Sequence, residues 1–252
     1  MEMIERINDY WSKRADEFGD ARYTDMQGKK RKLWTDLIKK NLPEKNTVCA
    51  LDLGTGAGFF SFLLSDLGCS VTAIDYSEEM LKNARQNAEK LGYPNIVYRQ
   101  MDAQALEFED ESFDFIFTRN VTWTLPDPEK AYAEMVRVLK SGGRIMNADA
   151  NYAASFKVMD EKGLTEKVAD NGESPYANPA RSLEMLRERN DIARSLYIAE
   201  EFRPAWDVRV LMKYGMARFK IEADVNHNVF GYEYPPGGPG LSPEFVIVAE
   251  KI

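Results

Sequence analysis

LDLGTGAGFF, residues 51–60, decides how the chain is read. An apolar run ends in Asp52 and Leu53, glycines follow at 54, 56 and 58, and two phenylalanines open the next segment. Residues 47–53 read as a buried strand and residues 59–68 as a helix closed by Gly68, so the glycines occupy a strand-to-helix turn. A dinucleotide fingerprint needs its third glycine at 59, where Phe59 stands. A P-loop needs Gly-Lys-Ser/Thr, which does not follow. NAD and ATP are therefore disfavoured. Spaced glycines alone are equally the mark of a tight structural turn.

Outward from this turn the pattern repeats. Strands are expected at 71–75, 96–100, 113–117 and 144–148. Between them, Ser77 caps a helix that ends at Gly92, and Asp127-Pro128 opens another that stops at the Ser-Gly-Gly of 141–143. Alternation of strand and helix with short connections implies an α/β fold with a doubly wound, mostly parallel sheet. Its ligand belongs outside the carboxyl ends of the strands. Ahead of the core, Leu33, Trp34, Leu37, Ile38 and Leu42 recur at helical spacing up to Pro43. Beyond it, 153–203 is helical and charged, with a loop at 169–179 and a new helix from Asn178-Pro179. A helix at 206–215, a strand at 218–225, a Pro/Gly loop at 232–243 and a strand at 245–251 follow. The expected organisation is N-terminal helices over 1–45, a binding core over 46–152, an inserted helical cap over 153–205 and a completion of the sheet over 206–252.

Three acids stand at the ends of three consecutive strands: Asp52, Asp75 and Asp102. Asp75 lies about twenty residues past the first glycine, where a carboxylate can accept both hydroxyls of a ribose. As a set, ALDLGTGAGFFS, VTAIDYSEEML, MDAQAL and FDFIFTRNVTWTLPDPEKAYAEMVRVLKSGGRI resemble the motifs of the class I S-adenosylmethionine-dependent methyltransferases over roughly residues 47–150. The resemblance implies a Rossmann-like sheet of seven strands with the last antiparallel. It implies S-adenosyl-L-methionine as cofactor and S-adenosyl-L-homocysteine as product. It places Asp52, Gly54, Thr55 and Gly56 beside the methionine part, Asp75 on the ribose, Tyr76 and Met80 near the adenine, and Asp102 and Ala103 on the adenine edge.

YWSKRADEF near the N-terminus is also similar to a segment that closes over the cofactor in small-molecule members. There Trp11 and Arg14 would meet the sulfonium and the carboxylate, although Trp11 is equally a helix-packing residue. Asn120 and Trp123 stand at the strand end that lines such a site, with Asn120 able to touch both cofactor and acceptor. Asp149 is the carboxylate expected to hold or deprotonate the acceptor, its rival role being a helix cap. Tyr152 is expected at the substrate. Tyr232 and Tyr234 are further candidates, and His227 reads as a turn residue. The Asn/Asp-Pro-Pro-Tyr motif of relatives that methylate amide or base nitrogen is absent. Metal-dependent relatives carry acids where Arg119 and Asn120 stand, so no metal is expected. Arsenic-type relatives need several loop cysteines, which Cys49 and Cys69 do not supply.

The bulk properties agree with an acceptor of small size. The chain has 252 residues, a formal charge of −8, and 44% hydrophobic and 29% charged content. A net acidic surface disfavours nucleic acid, since phosphate neutralisation needs clustered cations. The one dense cluster, KKRK at 29–32, reads as a solvated helix face. Cys49 and Cys69 read as buried small hydrophobes. No run is long enough to span a membrane, and the charged N-terminus lacks a signal-peptide core, so a cytoplasmic monomer or homodimer is expected. The alternatives are a non-catalytic cofactor-binding or interaction protein, and a protein or RNA methyltransferase.

Overall fold

The computed structural model describes residues 2–163, 183–225 and 243–252. Its strands are β1 (Cys49–Leu53), β2 (Ser70–Asp75), β3 (Val97–Gln100), β4 (Phe113–Arg119), β5 (Leu139–Asp149), β6 (Met216–Glu222) and β7 (Phe245–Lys251). They form one sheet in the order β3-β2-β1-β4-β5-β7-β6. The first five pair in parallel, and β7 runs antiparallel to both β5 and β6. This is the doubly wound sheet that the alternation implies.

Nine described helices surround it: α1 (Met3–Ser12), α2 (Ala15–Asp25), α3 (Lys29–Lys39), α4 (Phe59–Asp66), α5 (Glu78–Leu91), α6 (Pro128–Val138), α7 (Tyr152–Glu161), α8 (Leu183–Ser195) and α9 (Ala205–Lys213). Both faces of the sheet are covered, which is why its central strands read as apolar runs rather than alternations. Leu51, Leu53, Ile116 and Ile145 pack with Tyr132 and Met135 of α6 on one face. Ala50, Phe115, Phe117 and Met146 pack with Phe62 of α4 and Trp34 and Ile38 of α3 on the other. Each such phenylalanine or isoleucine contributes roughly 1.5–3 kcal/mol by leaving water. The helix ends follow their local chemistry. The Ser77 hydroxyl accepts from Met80 N–H at the start of α5, and Asp127 accepts from Lys130 N–H at the start of α6.

Three expectations need correction. The Ser-Gly-Gly of 141–143 does not end a helix before a strand at 144. The strand begins at Leu139, and its pairing with β4 slips between Phe113 and Phe115, accommodated by Gly142 at φ +74°. The strand placed at 218–225 lies at Met216–Glu222, because Gly215 at φ +95° ends α9 and delivers the chain directly into it. Cys49 and Cys69 are half-buried free thiols rather than fully buried ones. The basic cluster is a solvated face held in pairs, with Arg31 2.8 Å from Asp66 and Lys30 3.0 Å from Asp25. No described helix is long and apolar enough to cross a membrane.

α1 packs on α8, where Arg6 donates to Glu188 (2.7 Å) and Asp191 (2.5 Å). The first helix is thereby clasped to the helices that follow β5. His227, Tyr232, Tyr234, the loop at 169–179, Asn178-Pro179 and most of the loop at 232–243 lie outside the described residues.

Candidate functional site

The carboxyl ends of β1, β2 and β4 finish together, since Leu53 stands opposite both Ile74 and Thr118. The glycine turn leaves β1 at this edge. Gly54 and Thr55 both donate their N–H to the Ile74 carbonyl at 2.9 Å. Gly54 and Gly56 have φ of +72° and +53°, a region that costs a side chain roughly 1–2 kcal/mol. Their surroundings differ. A Cβ on Gly54 would lie 2.3 Å from Val121 Cγ2, whereas one on Gly56 would meet nothing within 4 Å. Gly54 is therefore a packing glycine, and Gly56 borders open space.

Asp52, expected beside the methionine part of the cofactor, is engaged within the turn. It is 2% exposed and faces inward, accepting from the hydroxyls of Thr55 (2.7 Å) and Ser61 (2.5 Å) through Oδ2. Burial pushes its carboxyl up to about 6, against the two hydroxyl donors and with the help of nearby Asp75. Asp52 and Thr55 are hydrogen-bonded to each other and brace the turn. Asp75 is half-buried at the end of β2. One oxygen accepts from Gly56 N–H (2.8 Å) and the other from Ser77 N–H (3.0 Å). Burial raises its pKa, and the N–H groups of Ser77, Gly56 and Tyr76 lower it. A lone pair remains for a hydroxyl. Tyr76 is half-buried and Met80 buried behind it. Asp102 follows β3, its Oδ1 accepting from the backbone (2.8 Å) and side-chain amides (2.9 Å) of Gln104, whose own Oε1 accepts from Asp127 N–H. Ala103 beside it is nearly buried.

The opposite side of the edge comes from the segment after β4. Asn120 has φ +57°, a strained backbone for a residue with a side chain, and its N–H holds the Ala148 carbonyl at 2.9 Å. Its Oδ1 is buried with no donor. Such an orphan costs about 1–3 kcal/mol unless something supplies a hydrogen. A 3₁₀ turn at Thr122–Thr124 then presents Trp123, which is buried and meets Trp11 (6.2 Å), Tyr152 (5.5 Å) and Phe156 (5.6 Å) edge-on.

The end of α1 spans from one side to the other. The Ser12 and Ser77 hydroxyls share a hydrogen bond of 2.8 Å, and Trp11 Nε1 donates to Thr124 Oγ1 at 3.5 Å. Arg14 is 4% exposed, with its guanidinium against the rings of Tyr10, Trp11 and Phe18. It donates to the Tyr10 hydroxyl at 3.2 Å and reaches Glu17 only at 3.4 Å.

Asp149, expected to hold or deprotonate the acceptor, is committed to protein partners. It is fully buried on β5, accepting from the Thr122 hydroxyl (2.6 Å), Trp123 N–H (3.1 Å) and Ala150 N–H (2.8 Å), and it is ion-paired with Arg203 (3.2 Å). Oδ2 is taken by Thr122, Trp123 N–H and Arg203, and Oδ1 accepts from Ala150 N–H, which ties the carboxylate to the 3₁₀ turn rather than to the start of α7. Burial raises its pKa while Arg203 and Thr122 oppose that. Sequence reasoning missed the rest of this assembly. Arg203 and Asp207 are fully buried partners (2.7 Å), the Tyr132 hydroxyl donates to Asp207 (2.7 Å), and Asn147 Nδ2 donates to the Tyr132 hydroxyl (2.6 Å). Their only local signal was an Arg and an Asp four apart in a stretch rich in charge. Among the described residues, no three His, Cys, Asp or Glu side chains are grouped as metal ligands.

Residues 44–199 match a family model described as a methyltransferase domain. The phosphatidylethanolamine N-methyltransferase of Cereibacter sphaeroides is 40% identical over 97 residues, 38% of this chain and 47% of its own length. The chain thus spans about half the length of the curated relatives it matches. Among solved structures, a Thermotoga maritima protein described as a S-adenosylmethionine-dependent methyltransferase, possible histamine N-methyltransferase, shares the fold with a TM-score of 0.61. It is 21% identical, with 97% of this chain and 99% of that one covered. Phosphoethanolamine N-methyltransferase 2 of Haemonchus contortus, solved with S-adenosyl-L-methionine, has a TM-score of 0.58 at 18% identity, covering 86% of this chain and 51% of that one.

Proposed function

The chain belongs to the class I S-adenosylmethionine-dependent methyltransferases, and from that premise we propose that it transfers a methyl group to a small-molecule acceptor, in line and without a metal. When bound, the cofactor supplies an electrophilic methyl on a sulfonium. The residues at the sheet edge fit such a group. Gly56 leaves room above the turn, Asp75 offers lone pairs to a diol, Tyr76 and Met80 offer an apolar wall, and Asp102 with Ala103 offers an edge for a purine. Arg14 is a buried guanidinium that pairs with Glu17 at 3.4 Å, and its remaining N–H groups suit a carboxylate. The unused Oδ1 of Asn120 suits an ammonium, of the cofactor's amino-acid part or of the acceptor.

The observation that carries the small-molecule reading is the anchoring of α1 on both sides of the edge, through Ser12–Ser77 and Trp11–Thr124. A helix held at this edge narrows the approach among the described residues and would keep water from the reacting atoms, which favours a small acceptor. Trp123, Tyr152 and Trp11 would then shape the acceptor's chamber and orient its lone pair. With Asp149 tied to the turn and to Arg203, the acceptor is expected to bring that lone pair free or to give its proton to water.

The test is transfer from S-adenosylmethionine labelled on its methyl, incubated with the protein and a cell extract, followed by separation of metabolites from macromolecules. Label in the metabolite fraction, abolished by Asp75→Ala, is the expected result. Label in protein or RNA would overturn the small-molecule reading. Cofactor binding without transfer to either fraction would favour a non-catalytic binding protein.

A further inference from the structure

We propose that Arg203 is the positioning residue of the acceptor side: it holds the turn that carries Trp123 and the start of the helix that carries Tyr152. The proposal rests on the methyl-transfer reading only in naming that side. Arg203 has no exposed side-chain surface, and every nitrogen of its planar fork is used. Nε meets Asp207 Oδ2 (3.0 Å), and Nη1 reaches the Ala150 carbonyl (3.3 Å), two residues before α7 begins. Nη2 meets Thr122 Oγ1 (2.6 Å), Asp149 Oδ2 (3.2 Å) and Asp207 Oδ1 (2.7 Å).

The geometry matters because the same Asp149 oxygen accepts from Thr122 and from Trp123 N–H. One guanidinium therefore fixes a carboxylate, and that carboxylate fixes the turn. The turn in turn receives Trp11 on Thr124 and sets Trp123 against Tyr152. A buried ion pair adds little net stability, but it imposes one geometry on the groups that share it. Burial already pulls Asp149 toward its protonated form, and a protonated Asp149 would have one acceptor fewer for the turn. Arg203 lies in the segment after α8 and ties that segment to the chamber wall, alongside the direct contact of Phe156 with Trp123. A lysine there keeps the charge but cannot make the fork.

The full chain carrying Arg203→Lys, and separately the triple Arg203→Met, Asp149→Asn and Asp207→Asn, decides the matter. The triple removes the three buried charges together and so guards against simple unfolding. Hydrogen exchange at the Trp123 amide is expected to speed at least tenfold in both, with β1 and β2 amides unchanged. S-adenosylhomocysteine affinity is expected within threefold of the parent, and label transfer to the metabolite fraction more than thirtyfold lower. Unchanged protection at Trp123 overturns the proposal, as does transfer that falls only in step with cofactor affinity. Should the unaltered protein transfer no label, the methyl-transfer reading fails, and the Trp123 exchange alone judges Arg203.

Discussion

An alanine at Gly54 would put its methyl 2.3 Å from Val121 Cγ2, far inside contact distance, on a backbone at φ +72°. Two costs add. The left-handed backbone costs roughly 1–2 kcal/mol for a residue with a Cβ. Overpacking against a half-buried valine costs about 1–3 kcal/mol more. The expected loss is thus about 2–5 kcal/mol, or roughly 5–20 °C in thermal midpoint at about 2–4 °C per kcal/mol for a chain of this size. Gly56→Ala is the control. It bears the backbone cost alone, about 1–2 kcal/mol, because its methyl meets nothing. The methyl projects instead into the space assigned to the cofactor, so Gly56→Ala should lose S-adenosylhomocysteine affinity more than stability. Adding Val121→Ala to Gly54→Ala should recover the packing share, giving a coupling of about 1–3 kcal/mol in a double-mutant cycle. Urea melts of the single and double variants measure it. Strict additivity of the two substitutions, or equal losses for the two glycines, would refute the division into a packing glycine and a cofactor glycine.

The remaining predictions concern charge and buried hydrogen bonds. Asp52 binds its proton more tightly folded than unfolded, so its contribution is complete below about pH 4 and is lost as pH rises through about 6. A displacement from 3.8 to about 6, at about 1.4 kcal/mol per pH unit, amounts to about 3 kcal/mol. Asp52→Asn should therefore gain thermal midpoint over the parent at pH 7 but not at pH 4, and melts at the two values read this directly. Arg14→Met should weaken S-adenosylhomocysteine by about tenfold or more, since a hydrogen bond to a charged group contributes about 1.5–3 kcal/mol, while leaving methylthioadenosine, which lacks the carboxylate, unaffected by calorimetry. Tyr132→Phe removes the donor to Asp207 and the acceptor of Asn147, so urea unfolding should show a loss of about 1–3 kcal/mol with little change in cofactor affinity.

The sheet was legible because its determinants are local. Apolar strands such as FDFIF, the caps Ser77 and Asp127, and the glycines after β1 each announce themselves within a few residues. Asp75 and Asp102 end their strands at the same edge for the same reason. What the sequence could not supply is orientation and long-range pairing. Asp52 and Asp75 look alike in sequence, but one turns under the loop toward Ser61 and the other stays at the edge. Asp149 looked available because Arg203, its counter-ion, arrives from fifty-four residues further along. Gln104 holds Asp102 and Asp127 together, and no periodicity marks an amide that serves two partners. Start and end of β5 were misjudged because the pair Gly142-Gly143 permits a bulge as readily as it permits a stop.

The buried assembly around Arg203 also bears on where this protein can be cut. The recognisable family span is 44–199, and a fragment with those limits contains Asp149, Thr122 and Tyr132 but neither Arg203 nor Asp207. It would bury a carboxylate with its cation deleted, and would strip Glu188 and Asp191 of Arg6. The family span alone therefore lacks the cation that its own buried carboxylate requires. Swapping segments between relatives at the edges of the shared span would sever an electrostatic contract, whereas a junction that keeps 1–43 and 200–225 with their own core would leave it intact.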